Sequence, residues 1–173
     1  MKIYYREKSG GIEILRCFGI EGRVEIPGMI DGKLVISAAP YAFSSHMDEK
    51  EELKNASLWE VSDGLGFGRE EHVLAGNDVE EIVFPDTLKE IGRYIFYGCG
   101  NLKKLEFSDS LMQIGCGAFT GCHALEKLTV HMRQGKKSGV KEMLGEMWQR
   151  IDVNFLYEYE EARLVFPDRK SVV

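Results

Sequence analysis

The chain has 173 residues, of which 44% are hydrophobic and 29% are charged, so it can bury a sizeable core and is not expected to be disordered. Its formal net charge of −6 disfavours nucleic acid as a partner, because phosphate binding needs clustered lysines and arginines. No apolar run approaches the roughly 18 residues that cross a bilayer, so no membrane partner is expected either.

The first elements are two strand-like segments at residues 3–6 and 13–18, separated by the turn-forming residues 9–11. They predict an N-terminal hairpin over residues 1–22 that caps a sheet and hides its edge. The start of the chain is interrupted by charges and lacks the apolar segment of a secretory leader. The cytoplasm is therefore the expected location, with the cell surface as the alternative.

Residues 23–78 contain segments that resemble parts of a sequence repeat found in regular form at residues 79–124. They predict one irregular coil and a second, degenerate coil over residues 53–78 that contains a glycine-rich insertion. The insertion, at residues 64–68, resembles a phosphate-binding loop only in its glycine content, because no strand–loop–helix context surrounds it. The matching segments are 24–27 with 82–85, 41–43 with 94–96, and 53–58 with 102–107.

The clearest feature is a 23-residue repeat, in which residues 79–101 align with residues 102–124 without a gap. Eight aligned positions are identical, and the period falls in the leucine-rich range of about 20–29 residues. A further copy begins at residue 125 and stops after residue 130, which gives about three coils and a terminal strand. The identical pairs are Phe84/Phe107, Asp86/Asp109, Leu88/Leu111, Ile91/Ile114, Gly92/Gly115, Phe96/Phe119, Gly98/Gly121 and Cys99/Cys122.

Each copy opens with alternating apolar and polar residues, which predicts a strand with one core face and one solvent face. Later in the copy, Gly115 is predicted to permit a backbone angle that a side chain would resist. Phe119 is predicted to fill the centre of the coil, and Cys122 to be a buried thiol. The outward side chains of the strands form the candidate partner-binding face, which comprises Glu81, Val83, Lys104, Glu106, Lys127 and Thr129.

Residues 131–173 are predicted to form a C-terminal cap. A helix is expected over residues 138–151, because Ser138 is a suitable N-cap and the apolar residues recur with helical spacing. The alternative for this helix is a docking element for a partner or for a further domain. Residues 152–159 and 163–166 are predicted to be two final strands.

The sequence offers no recognisable chemistry. None of the motifs H-E-x-x-H, G-x-S-x-G or G-K-[ST] occurs, and no two of the four cysteines have C-x-x-C spacing. We therefore expect no catalytic residues, no cofactor and no metal. In a reducing compartment the cysteines would be buried thiols.

The repeat resembles the BspA-like leucine-rich repeat, whose motif is Ile-Gly-x-x-Ala-Phe-x-Gly-Cys. Residues 114–122 match this motif in full, and residues 91–99 match it with Ile95 in place of alanine. The first unit is similar to the family's first unit at residues 26–43, but it departs from it at residues 38–39 and 45–46. The resemblance covers about residues 20–130.

The resemblance implies an α/β fold, namely a right-handed leucine-rich repeat solenoid of short β-coils with short helical turns. The family includes bacterial surface proteins that bind host components, and also leaderless members from gut Firmicutes that have no assigned role. The sequence is more similar to the leaderless members, whose chains usually continue further, so the end at Val173 is interpreted as a truncation.

The predicted organisation is a capping hairpin at residues 1–22, a solenoid at residues 23–130 and a C-terminal cap at residues 131–173. The favoured hypothesis is a non-catalytic module that binds an unidentified protein, with self-association through an open end as one form of it. The alternatives are an exported adhesin that binds carbohydrate or a cell surface, and a subunit of an enzyme whose site lies outside this chain.

Overall fold

The computed structural model describes residues 1–61, 70–135, 137–145 and 151–158. Within them the chain forms short strands joined by turns, two short α-helices and one 3-10 turn at Gly76–Asp78. None of the helices in these segments has the length and hydropathy needed to cross a bilayer. The strands are β1 (Lys2–Lys8), β2 (Gly11–Gly19), β3 (Arg23–Glu25), β4 (Met29–Ile30), β5 (Lys33–Ala38), β6 (Ser57–Glu60), β7 (His72–Val73), β8 (Glu81–Val83), β9 (Glu90–Ile91), β10 (Lys104–Ser108), β11 (Gln113–Ile114), β12 (Lys127–Arg133) and β13 (Asp152–Glu158), and the helices are α1 (Glu49–Glu52) and α2 (Val140–Leu144).

A five-stranded parallel sheet forms one side of the solenoid, with the strand order β13-β12-β10-β8-β3. Leu105 on β10 lies opposite Ile82 on β8 and opposite Leu128 on β12. Neighbouring strands therefore pair in the 23-residue register that the repeat predicts. All three of these side chains are at most 1% exposed, so one face of the sheet belongs to the core.

The second sheet contains the shorter strands of the same coils. Strands β5, β9 and β11 pair in parallel, and β2 continues the sheet on the other side of β5. Strand β1 pairs antiparallel with β2 across a turn in which Ser9 and Gly10 have positive φ. The predicted N-terminal hairpin is therefore present, while its role as a cap stays a prediction.

The prediction of a degenerate coil over residues 53–78 is wrong. Strand β3 pairs directly with β8, so the described residues of this segment, 53–61 and 70–78, contribute no strand to the parallel sheet. Instead, β6 pairs antiparallel with β1, and β7 pairs antiparallel with β2. The physical reason is that apolar alternation indicates a strand but does not specify which neighbour the strand pairs with. The glycine-rich residues 64–68 lie outside the described residues.

A column of phenylalanine rings runs from coil to coil, with Phe43 and Phe96 in the core and Phe119, predicted to fill the centre of its coil, only half-buried. The ring centroids of Phe43 and Phe96 lie 6.0 Å apart, and those of Phe96 and Phe119 lie 5.7 Å apart. Each such aromatic pair contributes about 0.5–1.5 kcal/mol beyond the burial of its surface. The column shows why the repeat conserves a phenylalanine at this position from one coil to the next.

The cysteine of each repeat bonds to the preceding coil. The thiol of Cys99 donates to the carbonyl oxygen of Phe43 at 3.2 Å, and the thiol of Cys122 donates to that of Phe96 at 3.3 Å. Cys99 is fully buried and Cys122 is half-buried. The Phe-x-Gly-Cys segment thus supplies both the core ring of its own coil and a hydrogen bond to the neighbouring coil.

The explanation expected for Gly115 is wrong, because its backbone φ is not in the left-handed region. A Cβ atom at this position would instead lie 2.2 Å from the backbone nitrogen of Arg93 in the preceding coil. At Gly92 the same atom would lie 2.4 Å from the nitrogen of Pro40. The repeated Ile-Gly pair therefore allows adjacent coils to approach each other closely.

The C-terminal region follows the prediction in part. The prediction of Ser138 as the N-cap is wrong, because Gly139 is the N-cap of α2, although the hydroxyl of Ser138 accepts a hydrogen bond from the backbone nitrogen of Val140 at 3.2 Å. Helix α2 ends at Leu144. Residues 146–150 of the predicted helix lie outside the described residues. Strand β13 pairs with β12 as the first of the two predicted final strands. The second, at residues 163–166, also lies outside the described residues.

Candidate binding face

The six side chains predicted to face outward lie together on the solvent side of the parallel sheet, in two rows. Because β8, β10 and β12 are in register, Glu81, Lys104 and Lys127 form one row across the three strands. Two residues further along each strand, a second row crosses the sheet. It comprises Val83, Glu106 and Thr129. Lys104 and Lys127 are exposed and the other four are half-buried.

The flanking strands extend both rows beyond the six predicted residues. On β3, Arg23 lies opposite Glu81 and Glu25 lies opposite Val83. On β13, Asp152 lies opposite Lys127 and Asn154 lies opposite Thr129. We call these ten residues the sheet face. It spans all five parallel strands of the described chain.

Ion pairs fix part of the sheet face. The guanidinium of Arg23 lies 3.1 Å from a carboxylate oxygen of Glu25 and 3.4 Å from one of Glu81. The hydrogen bond to Glu25, followed by the charge of Glu81, raises the pKa of Arg23. His131, further along β12, contacts the carboxylate of Glu106 through Nε2. Half of the acidic side chains of the face are therefore held in place by neighbours from an adjacent strand.

Unlike the carboxylates of Glu81 and Glu106, the two lysines of the sheet face form no ion pair with the described residues. Lys104 and Lys127 lie directly opposite each other on β10 and β12. Within the described segments, neither ammonium group has an ion-pair partner within 4.0 Å. Like charges directly opposite each other destabilise a sheet slightly. Glu81 on β8 lies opposite Lys104, and Asp152 on β13 lies opposite Lys127, so a carboxylate position flanks the lysine pair on each side.

A groove of about 460 Å³ runs along one end of the sheet face, where the strands lead into the next turn. Val83 and Pro85 contribute apolar surface to it, while Glu25, Asp86 and Glu106 contribute carboxylates. A smaller depression of about 160 Å³ lies over the middle of the face, and the carboxylates of Glu81 and Glu106 line it together with the two lysines and Thr129. The sequence-based prediction missed Glu25, Asp86 and His131, although the match of residues 24–27 to 82–85 already placed Glu25 beside Val83.

The thiols of the core have little nucleophilic character. Burial raises the pKa of Cys17, Cys99 and Cys122 from an ordinary value of 9.0 to about 12. In the described segments no group of three or more potential metal-ligating side chains comes together. What the sheet face offers is a set of charged groups, hydrogen-bonding groups and apolar surface in fixed register.

Stacked coils with a parallel strand on one side and a shorter strand on the other define a leucine-rich repeat solenoid. Residues 70–139 match the family model described as the BspA type leucine-rich repeat region. The chain therefore contains a BspA-type leucine-rich repeat region, as the Ile-Gly and Phe-x-Gly-Cys motifs predict. Repeat solenoids of this kind generally present an extended surface for binding.

Two solved structures are similar to the chain. A leucine rich cell surface protein from Faecalibacterium prausnitzii A2-165 is 19% identical with a TM-score of 0.47, and the match covers 75% of this chain and 31% of that one. The T. pallidum leucine rich repeat protein is 23% identical with a TM-score of 0.37, over 90% of this chain and 79% of that one. This chain thus spans about a third of the length of the first protein. No curated protein sequence matches it.

Proposed function

We propose that this chain is a non-catalytic protein-interaction module whose sheet face binds a protein partner. The observation that carries the proposal is the register of the sheet face. Outward side chains from five parallel strands form continuous rows beside a groove of about 460 Å³, while the inward side chains of β3, β8, β10 and β12 belong to the core and those of β13 pack against it. Extended surfaces of stacked repeats are the surfaces that solenoid proteins use for binding.

The composition of the face fits a protein partner. It combines apolar surface at Val83 with carboxylates, ammonium groups and the hydroxyl of Thr129. Specific protein interfaces typically join a small apolar centre to a polar rim with satisfied hydrogen bonds. Self-association is one form of this proposal, in which the partner is a second copy of the chain.

The experiment is affinity purification of the tagged chain from its native host, followed by mass spectrometry. A variant with V83R and T129R places two bulky cations on the face, and a control variant with Q113R alters the exposed Gln113 on the second sheet. We expect the wild type and the control to enrich the same protein and the face variant to lose it. Retention of that protein by a correctly folded face variant would contradict the proposal.

We place the chain in a reducing compartment, with the cytoplasm as the proposed location. All four cysteines are free, and three of them are fully or partly buried, namely Cys17 on β2 and the repeat cysteines Cys99 and Cys122. Free cysteines in such numbers are typical of a compartment that keeps thiols reduced. Fractionation of the native host tests this location, because recovery in the surface fraction alone would contradict it.

A further inference from the structure

Strand β6 forms one edge of the second sheet. It pairs with β1 on one side, and within the described residues no strand pairs with its other side. Just beyond the strand, Met1 and Val61 exchange two backbone hydrogen bonds, each of 3.0 Å. Because hydrogen-bonded pairs alternate with non-hydrogen-bonded pairs along an antiparallel ladder, the peptide groups of Leu58 and Glu60 point away from β1. The open edge of β6 therefore presents their N–H and C=O groups.

The side chain of Leu58 adds apolar surface to the open edge, since it is 44% exposed. Leu58 lies opposite Tyr4 on β1, and the ring centroids of Tyr4 and Phe18 are 5.6 Å apart. These three side chains form an apolar strip that ends at the open edge. Edge strands are commonly protected from pairing by a proline, a lysine or a bulge, and β6 has none of these. Its single carboxylate, on Glu60, lies 3.6 Å from the ammonium of Lys2.

The open edge is complementary to itself in a two-fold arrangement. A second copy that pairs antiparallel can place its Leu58 opposite Leu58 of the first, and Trp59 of each copy then lies opposite Ser57 of the other. The two leucines exchange their outward N–H and C=O groups, and the N–H of each Glu60 donates to the carbonyl oxygen of Ala56, so about four backbone hydrogen bonds join the copies. The two Glu60 carboxylates are then about 14 Å apart along the ladder, which exceeds the screening length of about 8 Å at physiological salt.

We propose that two copies of this chain pair through the open edge of β6 to form a symmetric dimer with one continuous antiparallel junction. Dimers with a two-fold axis are the commonest closed assemblies, and each copy contributes the same surface to them. The open edge belongs to the second sheet, so the pairing does not involve the residues of the sheet face. The dimer carries two sheet faces, and a partner with two binding sites would be held more tightly by it than by one chain. This inference stands independently of the proposed function.

The test is sedimentation velocity of the full chain over a series of concentrations. Each copy contributes a strand of four residues, which is a small contact, so we expect a reversible dimer. The chain should sediment as a monomer at about 5 μM and increasingly as a dimer towards about 500 μM.

Two variants separate the side chain of Leu58 from its backbone, and each should weaken the dimer at least tenfold. L58K places two like charges directly opposite each other. L58P removes the N–H that points away from β1, so the ladder between β1 and β6 stays intact. The matched control is L34K, because Leu34 is 47% exposed and lies on β5, away from the open edge, and this variant should dimerise like the wild type.

Hydrogen exchange locates the contact. The amide of Leu58 should exchange rapidly in the monomer and become protected as the concentration of the chain rises. The amide of Trp59 donates towards β1, so it should be protected at every concentration.

Several outcomes would overturn the inference. One is a chain that sediments as a monomer at every concentration, and another is a dimer that L58K and L34K weaken equally. Loss of the dimer in L58K but not in L58P would mean that side chains meet without strand pairing, which also contradicts it. A dimer lost in the V83R and T129R variant but kept in L58K would place self-association on the sheet face. That result would support the proposed function and overturn this inference alone.

Discussion

Gly115 lies against Arg93 of the preceding coil so closely that a Cβ atom on the glycine would be 2.2 Å from the arginine's backbone nitrogen. The obstacle is backbone, which cannot rotate away as the end of a side chain can. The contact recurs one coil earlier between Gly92 and Pro40. The coils can therefore lie this close together on this side of the solenoid only because the repeated glycine has no side chain.

Replacement of Gly115 by alanine should separate the coils locally. We expect a loss of about 1–3 kcal/mol in the free energy of unfolding, as for other over-packed sites. Gly139 is the matched control, because it has negative φ and no atom within 4 Å of the added Cβ. Urea unfolding of the G115A and G139A variants measures the difference. If the G115A and G139A variants had equal free energies of unfolding, the coils could separate enough to accommodate the added methyl group at no cost.

Arg16 should contribute more to the free energy of unfolding than an exposed arginine does. Its side chain is 2% exposed, and Nη1 donates to the carbonyl oxygens of Tyr41, Ala42 and Ser44 at 3.2, 3.1 and 2.6 Å. Burial lowers its pKa, and the ion pair with Glu49 opposes that effect. In the R16M variant the carbonyls of Ala42 and Ser44 lose their donor, whereas that of Tyr41 still accepts from the backbone nitrogen of Ser44. Because an unsatisfied buried acceptor costs about 1–3 kcal/mol, we expect a loss of about 2–5 kcal/mol in the free energy of unfolding.

The control for Arg16 is R23M, because the side chain of Arg23 is 51% exposed and forms ion pairs only on the surface. Surface ion pairs contribute less than about 1 kcal/mol, so this variant should unfold close to the wild type in urea. A comparable loss of stability in the two variants would mean that the three carbonyl contacts of Arg16 contribute little.

The four cysteines should react with thiol reagents at different rates. Cys116 is exposed, whereas burial raises the pKa of Cys17, Cys99 and Cys122 to about 12. At pH 8 a thiol of that pKa is ionised in about one molecule in ten thousand, and the thiolate is the reactive form. Labelling at pH 8 should therefore modify one thiol rapidly in the folded chain and all four in guanidinium chloride. Rapid modification of a second thiol would contradict this placement.

Because these thiols are buried, the free energy of unfolding should change with pH in the alkaline range. The folded state holds these protons to about pH 12, whereas the unfolded thiols lose theirs near the ordinary pKa of 9.0. The unfolded state therefore binds fewer protons between these values, and the free energy of unfolding should decrease as the pH rises above 9. A triple variant with C17A, C99A and C122A provides the comparison, since its stability should depend less on pH in this range.

The repeat period alone predicted the registration of the parallel sheet, because a side chain that faces the core in one coil must do so in the next. It placed Leu105 beside Leu128 and the six outward residues in their two rows. The pairing of β6 with β1 could not be predicted in this way, since that contact is antiparallel and lies outside the repeat. The groove also depends on Glu25 on β3. This strand pairs with β8 but is separated from it in the sequence by the irregular segment, so the 23-residue period does not predict the pairing.

Site-specific photocrosslinking tests whether the sheet face is the surface that binds a protein partner. A benzoylphenylalanine replaces Thr129 at the centre of the face in one variant, and Met112, which is 73% exposed and outside the face, in the other. Both are irradiated in extract of the native host. We expect a discrete crosslinked protein from position 129 and none from position 112. Crosslinking at position 112 alone, or equally at both positions, would contradict this expectation.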